Sequence, residues 1–263
     1  MFNYFTHSIV IIFIGYASIY PIYFWIVPLQ KIDQGFYRFN LGKCCIVGSL
    51  GAIAYHFIAV DFFSEIMLIV WLILLGTITA YYWNRNQIHN IVITTVSLLG
   101  CFALLNIIKY LVQPDIYLQA TASIFIGSMI TAGVFFAMIL GHWYLNVIAL
   151  PISLLKKSTM LLWIILIIRI FWDVYYLSFN QYVDPYGISK NTWSFIFEFD
   201  GLLILVALFM GNIFPILINY FIWRTLKLQA TQSATGLLYV SIISILFGDI
   251  IFKYYLLQYG FPL

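Results

Sequence analysis

MLLWIILIIRIFWDVYYLSFN, residues 160–180, is apolar over a bilayer-crossing length, yet holds Arg169 near its middle and Asp173 one turn later. A charge at that depth costs several kcal/mol, with estimates from about 2.5 to over 10, unless it faces protein and finds a partner. The i,i+4 spacing makes Asp173 that partner. This segment therefore turns a charged face toward neighbouring helices, and the rest of the chain is read for what they supply.

Of 263 residues, 64% are hydrophobic and only 8% charged, against about 25% charged in ordinary soluble domains. No soluble fold hides that much apolar surface, so lipid is the solvent. Aromatics, at 20%, exceed what interfacial belts of Trp and Tyr require, so many must pack between helices. The net charge of +3 is dispersed and argues against nucleic acid. Cys44, Cys45 and Cys101 show no CxxC spacing, which argues against a disulfide framework or zinc site.

Eight spans of about 20 apolar residues follow: 8–28, 43–60, 62–83, 90–112, 119–143, 160–180, 201–223 and 232–257. The second and third are separated only by Asp61 and Ser64–Glu65, which leaves open a seven-span count or a re-entrant second segment. The flank MFNYFTHS has no Lys or Arg, and no small-residue cleavage site follows the first run, so it reads as an anchor and not a cleaved signal. Connections after spans one, three, five and seven hold Lys31, Arg38, Lys43, Arg85, Lys156, Lys157, Arg224 and Lys227; the opposite side holds Lys190. The positive-inside rule then places both termini and the 181–200 segment outside. With no linker or internal repeat visible, 1–263 reads as one all-α integral membrane domain, N-out and C-out, in a bacterial-type inner membrane.

With about 1.5 Å of rise per residue, depth can be assigned. His56, Asn106 with Lys109, Arg169 with Asp173, and Asp249 with Lys253 all fall at mid-depth or in the outer half, from four different spans. One reading is an outward pocket built by His56, Lys109, Arg169, Asp173 and Asp249. The other is two self-contained ion pairs, with Lys109 and Lys253 snorkelling to the surface. Span five carries Gly127, Ser128, Thr131, Ala132 and Gly133, small residues that allow close helix approach. Its end, Gly141-His142-Trp143-Tyr144, reads as interfacial belt, and residues 146–158 as a short helix on the inner surface. Span seven offers Asn212 and Asn219 and is interrupted by Pro215. In the outer 181–200 loop, DPYG signals a turn; Trp193, Phe195 and Phe197 either cap the bundle or lie in the interface.

Four histidines limit haem: His142 and His89 lie inward, so His7 with His56 is the pair a bis-histidine haem b would need. A quinone fits better, since it needs an aromatic-lined apolar cavity, a proton-exchanging group and a donor to its oxygen. His56, Asp173 and Asp249 can exchange protons; Arg169 or Lys109 can donate. The eight spans, outside termini, outer polar site and closing stretch ATQSATGLLYVSIISILFGD (230–249) with YGFPL (259–263) resemble the membrane-anchor subunit of polysulfide- and DMSO-reductase-type complexes. The resemblance implies a haem-free protein that binds quinone near the outer face and exchanges electrons with a peripheral iron–sulfur subunit. It assigns no catalytic residue here, and the GHWYLNV segment has no counterpart in it. Two other classes stay open. One is a proton-linked small-molecule transporter, which needs polar groups continuing to the inner side; the other is a non-catalytic assembly or scaffold subunit. No HExxH or GxSxG signature supports a hydrolase.

Overall fold

A backbone amide inside a bilayer has no water to bond, so apolar runs of span length close their own hydrogen bonds as helix. The computed structural model describes residues 2–28, 31–58, 61–85, 88–147, 150–183 and 186–263. It is 86% helical and holds eight helices long and apolar enough to cross a membrane. The protein is thus an all-α, multi-pass membrane bundle. Helix α1 (Phe2–Ile19) continues as a 3-10 turn over Tyr20–Ile26, followed by α2 (Gln34–Ile58), α3 (Phe62–Trp83), α4 (Asn90–Leu111), α5 (Tyr117–Asn146) and α6 (Ser153–Phe179). A hairpin of β1 (Gln181–Val183) and β2 (Ser189–Asn191) leads into the short α7 (Thr192–Ile196). The seventh span joins α8 (Leu202–Leu208), a π turn over Phe209–Ile213 and α9 (Phe214–Lys227); α10 (Thr231–Tyr259) is the eighth.

Helix α5 is the axis of the bundle, packed against α1, α6 and α10. Lipid tails are as apolar as leucine, so close backbone approach and polar bonds must fix how helices meet. The small residues of α5 serve that end. A Cβ at Gly133 would sit 2.8 Å from the Tyr23 hydroxyl, and one at Gly127 would sit 2.5 Å from Asp249 Oδ1. A second close approach sets Gly248 of α10 directly on the backbone of Gly211 in the π turn. Tyr20, Phe24, Phe36, Tyr37 and Phe136 are fully buried and in edge or tilted ring contact, the inter-helix role expected of the aromatic excess.

Several boundaries depart from the sequence reading. The second span is a full 25-residue helix, not a re-entrant segment, and begins at Gln34, so Arg38 and Lys43 are helical. Lys43 is no loop charge: its ammonium stacks over the Tyr20 ring at 3.8 Å and donates to Asn40 Oδ1 at 3.3 Å. Residues 146–158 form no separate surface helix among the described residues, because α5 runs to Asn146 and α6 starts at Ser153. The first span breaks at Pro21, whose missing amide cannot continue the ladder. Of the expected DPYG turn, Asp184 and Pro185 lie outside the described residues, but the strands on either side pair as a hairpin. Phe195 packs under that hairpin against Tyr182, Tyr259 and Phe261, while Phe197 is exposed; the loop is a cap with one face outward.

The chain reverses at Gly260, which caps α10 in the left-handed region with φ 72°. Phe261 and Leu263 are thereby folded back and buried.

Asp61 separates the second and third spans as the N-cap of α3, accepting from the Ser64 amide at 3.0 Å and from the Ser64 hydroxyl. Those bonds hold its carboxyl below the usual carboxylate range. A depressed folded pKa adds stability that is complete above the unfolded value and is lost as pH falls through the folded one. Asp61→Ala is therefore expected to lower the melting temperature in detergent at neutral pH, with the difference from the parent shrinking in acid. Asp61→Asn, which keeps the acceptor, should melt close to the parent.

Candidate functional site

Arg169 and Asp173 lie on the buried face of α6, each 2% exposed, which confirms that this helix turns its charges inward. Arg169 Nε lies 3.2 Å from both carboxylate oxygens of Asp173 and donates to Oδ2. One guanidinium nitrogen, Nη1, donates to the Ser123 carbonyl of α5 at 3.0 Å and reaches its hydroxyl at 3.4 Å. The guanidinium also covers the Phe252 ring of α10 at 4.4 Å. The π turn brings in Asn212, whose amide donates to Asp173 Oδ2 at 2.6 Å. A π turn adds a residue to the helical turn and re-aims its side chains, often at functional positions.

The second pair, Asp249 and Lys253 of α10, is equally buried and directly bonded through Lys253 Nζ and Asp249 Oδ1. Thr131 of α5 donates to the other oxygen, Oδ2, at 3.2 Å. Lys253 does not snorkel; the glycine at 127 leaves room for it and Asp249 against α5. The two pairs share one small cavity of about 10 Å³, whose wall includes Arg169, Asn212 and Asp249. The C-terminal segment closes the cluster from above. The Ser123 hydroxyl donates to the main-chain oxygen of Leu263 at 2.6 Å, and Trp172 Nε1 donates to the Pro262 carbonyl at 2.7 Å.

The pocket expected from five side chains is not assembled as such. Arg169, Asp173 and Asp249 come together, whereas His56 and Lys109 do not. His56 stands on α2 with its side chain 66% exposed and its Nδ1 2.5 Å from Glu65 of α3. Lys109 is exposed on α4, as the snorkelling reading required. The reason is rotational: depth along a helix was legible, but His56 and Lys109 lie on faces turned away from α5. No motif in the sequence marks Ser123 and Phe252 as members of the cluster, or shows that the 260–263 segment folds over it. The same depth argument applied to span five finds Ser123, a polar residue level with Arg169.

Two further features surround this core. Toward the opposite end of the bundle, Lys43, Asn40 and Tyr20 form a second polar cluster, in which the Tyr20 hydroxyl bonds Asn40 Oδ1. A mainly apolar cavity of about 150 Å³ extends from Lys43 and Tyr16 to Thr131, the residue bonded to Asp249. On the flank of the bundle, two hollows of about 400 and 580 Å³ meet at Phe125 of α5. The first is bordered by Gln119, Thr121, Trp172 and Tyr175; the second, bordered by Tyr23, Trp25 and Met129, is almost wholly apolar. The exposed Leu118, Met129 and Tyr175 show that this furrow opens on the membrane-facing surface. The Thr121 hydroxyl has no protein partner.

Removing one member of a buried pair strands the other charge, at a cost of about 3–5 kcal/mol. Arg169→Leu should therefore cost stability on that scale in detergent unfolding, because Asp173 loses its counter-charge and the Ser123 carbonyl its side-chain donor. Arg169→Leu combined with Asp173→Leu should be markedly less damaging than Arg169→Leu alone, measured by thermal melts of the three variants.

Comparison with known proteins leaves this geometry to speak for itself: no family model, curated protein or solved structure matches the chain.

Proposed function

We propose that the protein is an integral subunit of a redox system in a bacterial-type inner membrane, N-out and C-out, which takes a quinone from the bilayer through the lateral furrow and handles protons in the charged core. The observation that carries the reading is the adjacency of the two along α6. Trp172 and Tyr175 border the furrow, while Arg169 and Asp173 of the same turns face the core. The core itself has room for a water and not for a ring. The ligand site of this reading therefore lies beside the charges and not among them.

The furrow has the makings of a quinone site. Gln119 and the unpartnered Thr121 hydroxyl offer neutral donors to a ring oxygen, and the rings of Trp172 and Tyr175, 6.3 Å apart, offer aromatic edges. The apolar hollow beyond Phe125 suits an isoprenoid tail. When bound, the quinone would supply two-electron, two-proton chemistry, and a peripheral iron–sulfur subunit would exchange the electrons. Within this chain, Asp173 and Asp249 are the carboxylates able to hold a proton in the bilayer, and Arg169, Asn212 and Thr131 orient them.

Protein purified in mild detergent should yield quinone on organic extraction, with no haem band on dithionite reduction. Ala122→Trp, which fills the furrow from its smallest lining residue, should lower that quinone content at least several-fold while leaving the melting temperature near the parent value. Protein that folds but carries no quinone, and gains none when quinone is supplied in nanodiscs, would reject the reading.

Proton-linked transport is favoured by one separate observation, the polar cluster at Lys43 and its cavity running to Thr131. It requires that proteoliposomes show a proton flux that Lys43→Met abolishes; an undiminished flux in Lys43→Met would remove this route.

A further inference from the structure

The small cavity between the two ion pairs carries more than a packing defect would. Its wall includes Arg169 from α6, Asn212 from the π turn and Asp249 from α10, with Gly127, Gly211 and Phe252 between them. Two atoms of the polar residues have no protein partner although fully buried: the donor Arg169 Nη2 and the acceptor Asn212 Oδ1. Leaving such groups unmade costs about 1–3 kcal/mol each, more when the group is charged. Apolar cavities stay dry, but a polar cavity of about 10–15 Å³ with two to four partners holds a water. This one, at about 10 Å³, has that size and those partners. The two glycines maintain it. A Cβ on Gly127 would come within 2.5 Å of Asp249 Oδ1, and a Cβ on Gly211 within 2.8 Å of the Phe252 ring.

We propose that this cavity is a binding site for a single internal water, which accepts from Arg169 Nη2 and donates to Asn212 Oδ1 and to the Asp249 carboxylate. The water makes the three bonds customary for buried waters. It satisfies Arg169 Nη2 and Asn212 Oδ1, and it makes the two pairs one network of four charges. A metal cation is the wrong occupant, because a guanidinium N–H forms part of the wall. The consequence is functional: a substitution at Asp249 is felt at Asp173 through the water, Arg169 and Asn212, so the two pairs are energetically coupled. This inference stands whether or not the furrow takes a quinone.

The test uses the intact protein in nanodiscs. An electron-microscopy map fine enough to show other buried waters should contain one peak in this cavity, about 2.7–3.2 Å from each of the three partner atoms. Infrared spectra taken in H₂¹⁶O and H₂¹⁸O should differ by an O–H stretching band that Asn212→Leu abolishes. In melting experiments the losses from Asp173→Asn and Asp249→Asn should be non-additive, the second costing less once the first is present. No peak in such a map, a peak with the short multi-ligand contacts of a metal ion, or no ¹⁸O-sensitive band in the parent would overturn the proposal. Because map and band are read on the parent, failure of Asn212→Leu to fold does not rescue it.

Discussion

A guanidinium inside a bilayer must be neutralised and fully hydrogen-bonded where it stands, and Arg169 imposes that requirement on α5, α6 and α10. Its bonds reach Asp173 within α6, Ser123 on α5 and the Phe252 ring on α10, so one side chain sets the relative level of three helices. Asn212 and Thr131 complete the shell around the carboxylates. Apolar packing alone would not do this, since leucine gains little by exchanging lipid for protein. The charged core supplies the directional contacts that make one helix register better than its neighbours.

The irregular parts of the backbone follow from the same constraint. A helix interrupted within the membrane releases carbonyls and amides that must be satisfied by protein. At the π turn, the Met210 carbonyl accepts from Ser244 of α10, and the Gly211–Gly248 contact brings the two backbones close enough for that bond. At the 3-10 break of the first span, the Tyr23 hydroxyl donates to the Met129 carbonyl of α5 at 2.6 Å, and Trp25 Nε1 donates to Thr94 of α4 at 2.7 Å. Each break is thus pinned to a neighbour, and each borders a feature of interest: the π turn the charged core, the 3-10 turn the lateral furrow.

On the proposed reading, core and furrow divide the labour that a quinone site in a membrane requires. A titratable network works best where packing excludes all but ordered water, because low dielectric strengthens every charge interaction within it. A lipid-soluble ligand needs the opposite, an open and apolar route from the bilayer. Helix α6 offers both on opposite faces: Arg169 and Asp173 inward, Trp172 and Tyr175 toward the furrow. The hairpin and the reversed 260–263 segment cover the end of the core, with Phe195, Tyr259 and Phe261 packed over it.

Composition and periodicity were enough for the all-α membrane class, the eight spans and the i,i+4 pairing of Arg169 with Asp173 and of Asp249 with Lys253, because each follows from solvent and from spacing along one helix. Depth was legible too, since rise per residue is fixed: it put Arg169, Asp173 and Asp249 within reach of one level, and these three meet in the fold. Rotation about each helix axis was not legible. In a bundle with apolar residues on every side, nothing in the sequence marks which face meets protein and which meets lipid. His56 and Lys109 therefore read as pocket residues and turned outward, while Ser123 and Phe252 turned inward unannounced. The start of α2 was misplaced for a related reason: Arg38 and Lys43 look like loop charges until Tyr20 and Asn40, distant in sequence or a turn away, supply partners that make a helical lysine tolerable. Tertiary contacts alone decided which charges share a cavity, since that depends on where Gly127, Gly211 and Gly248 allow three helices to meet.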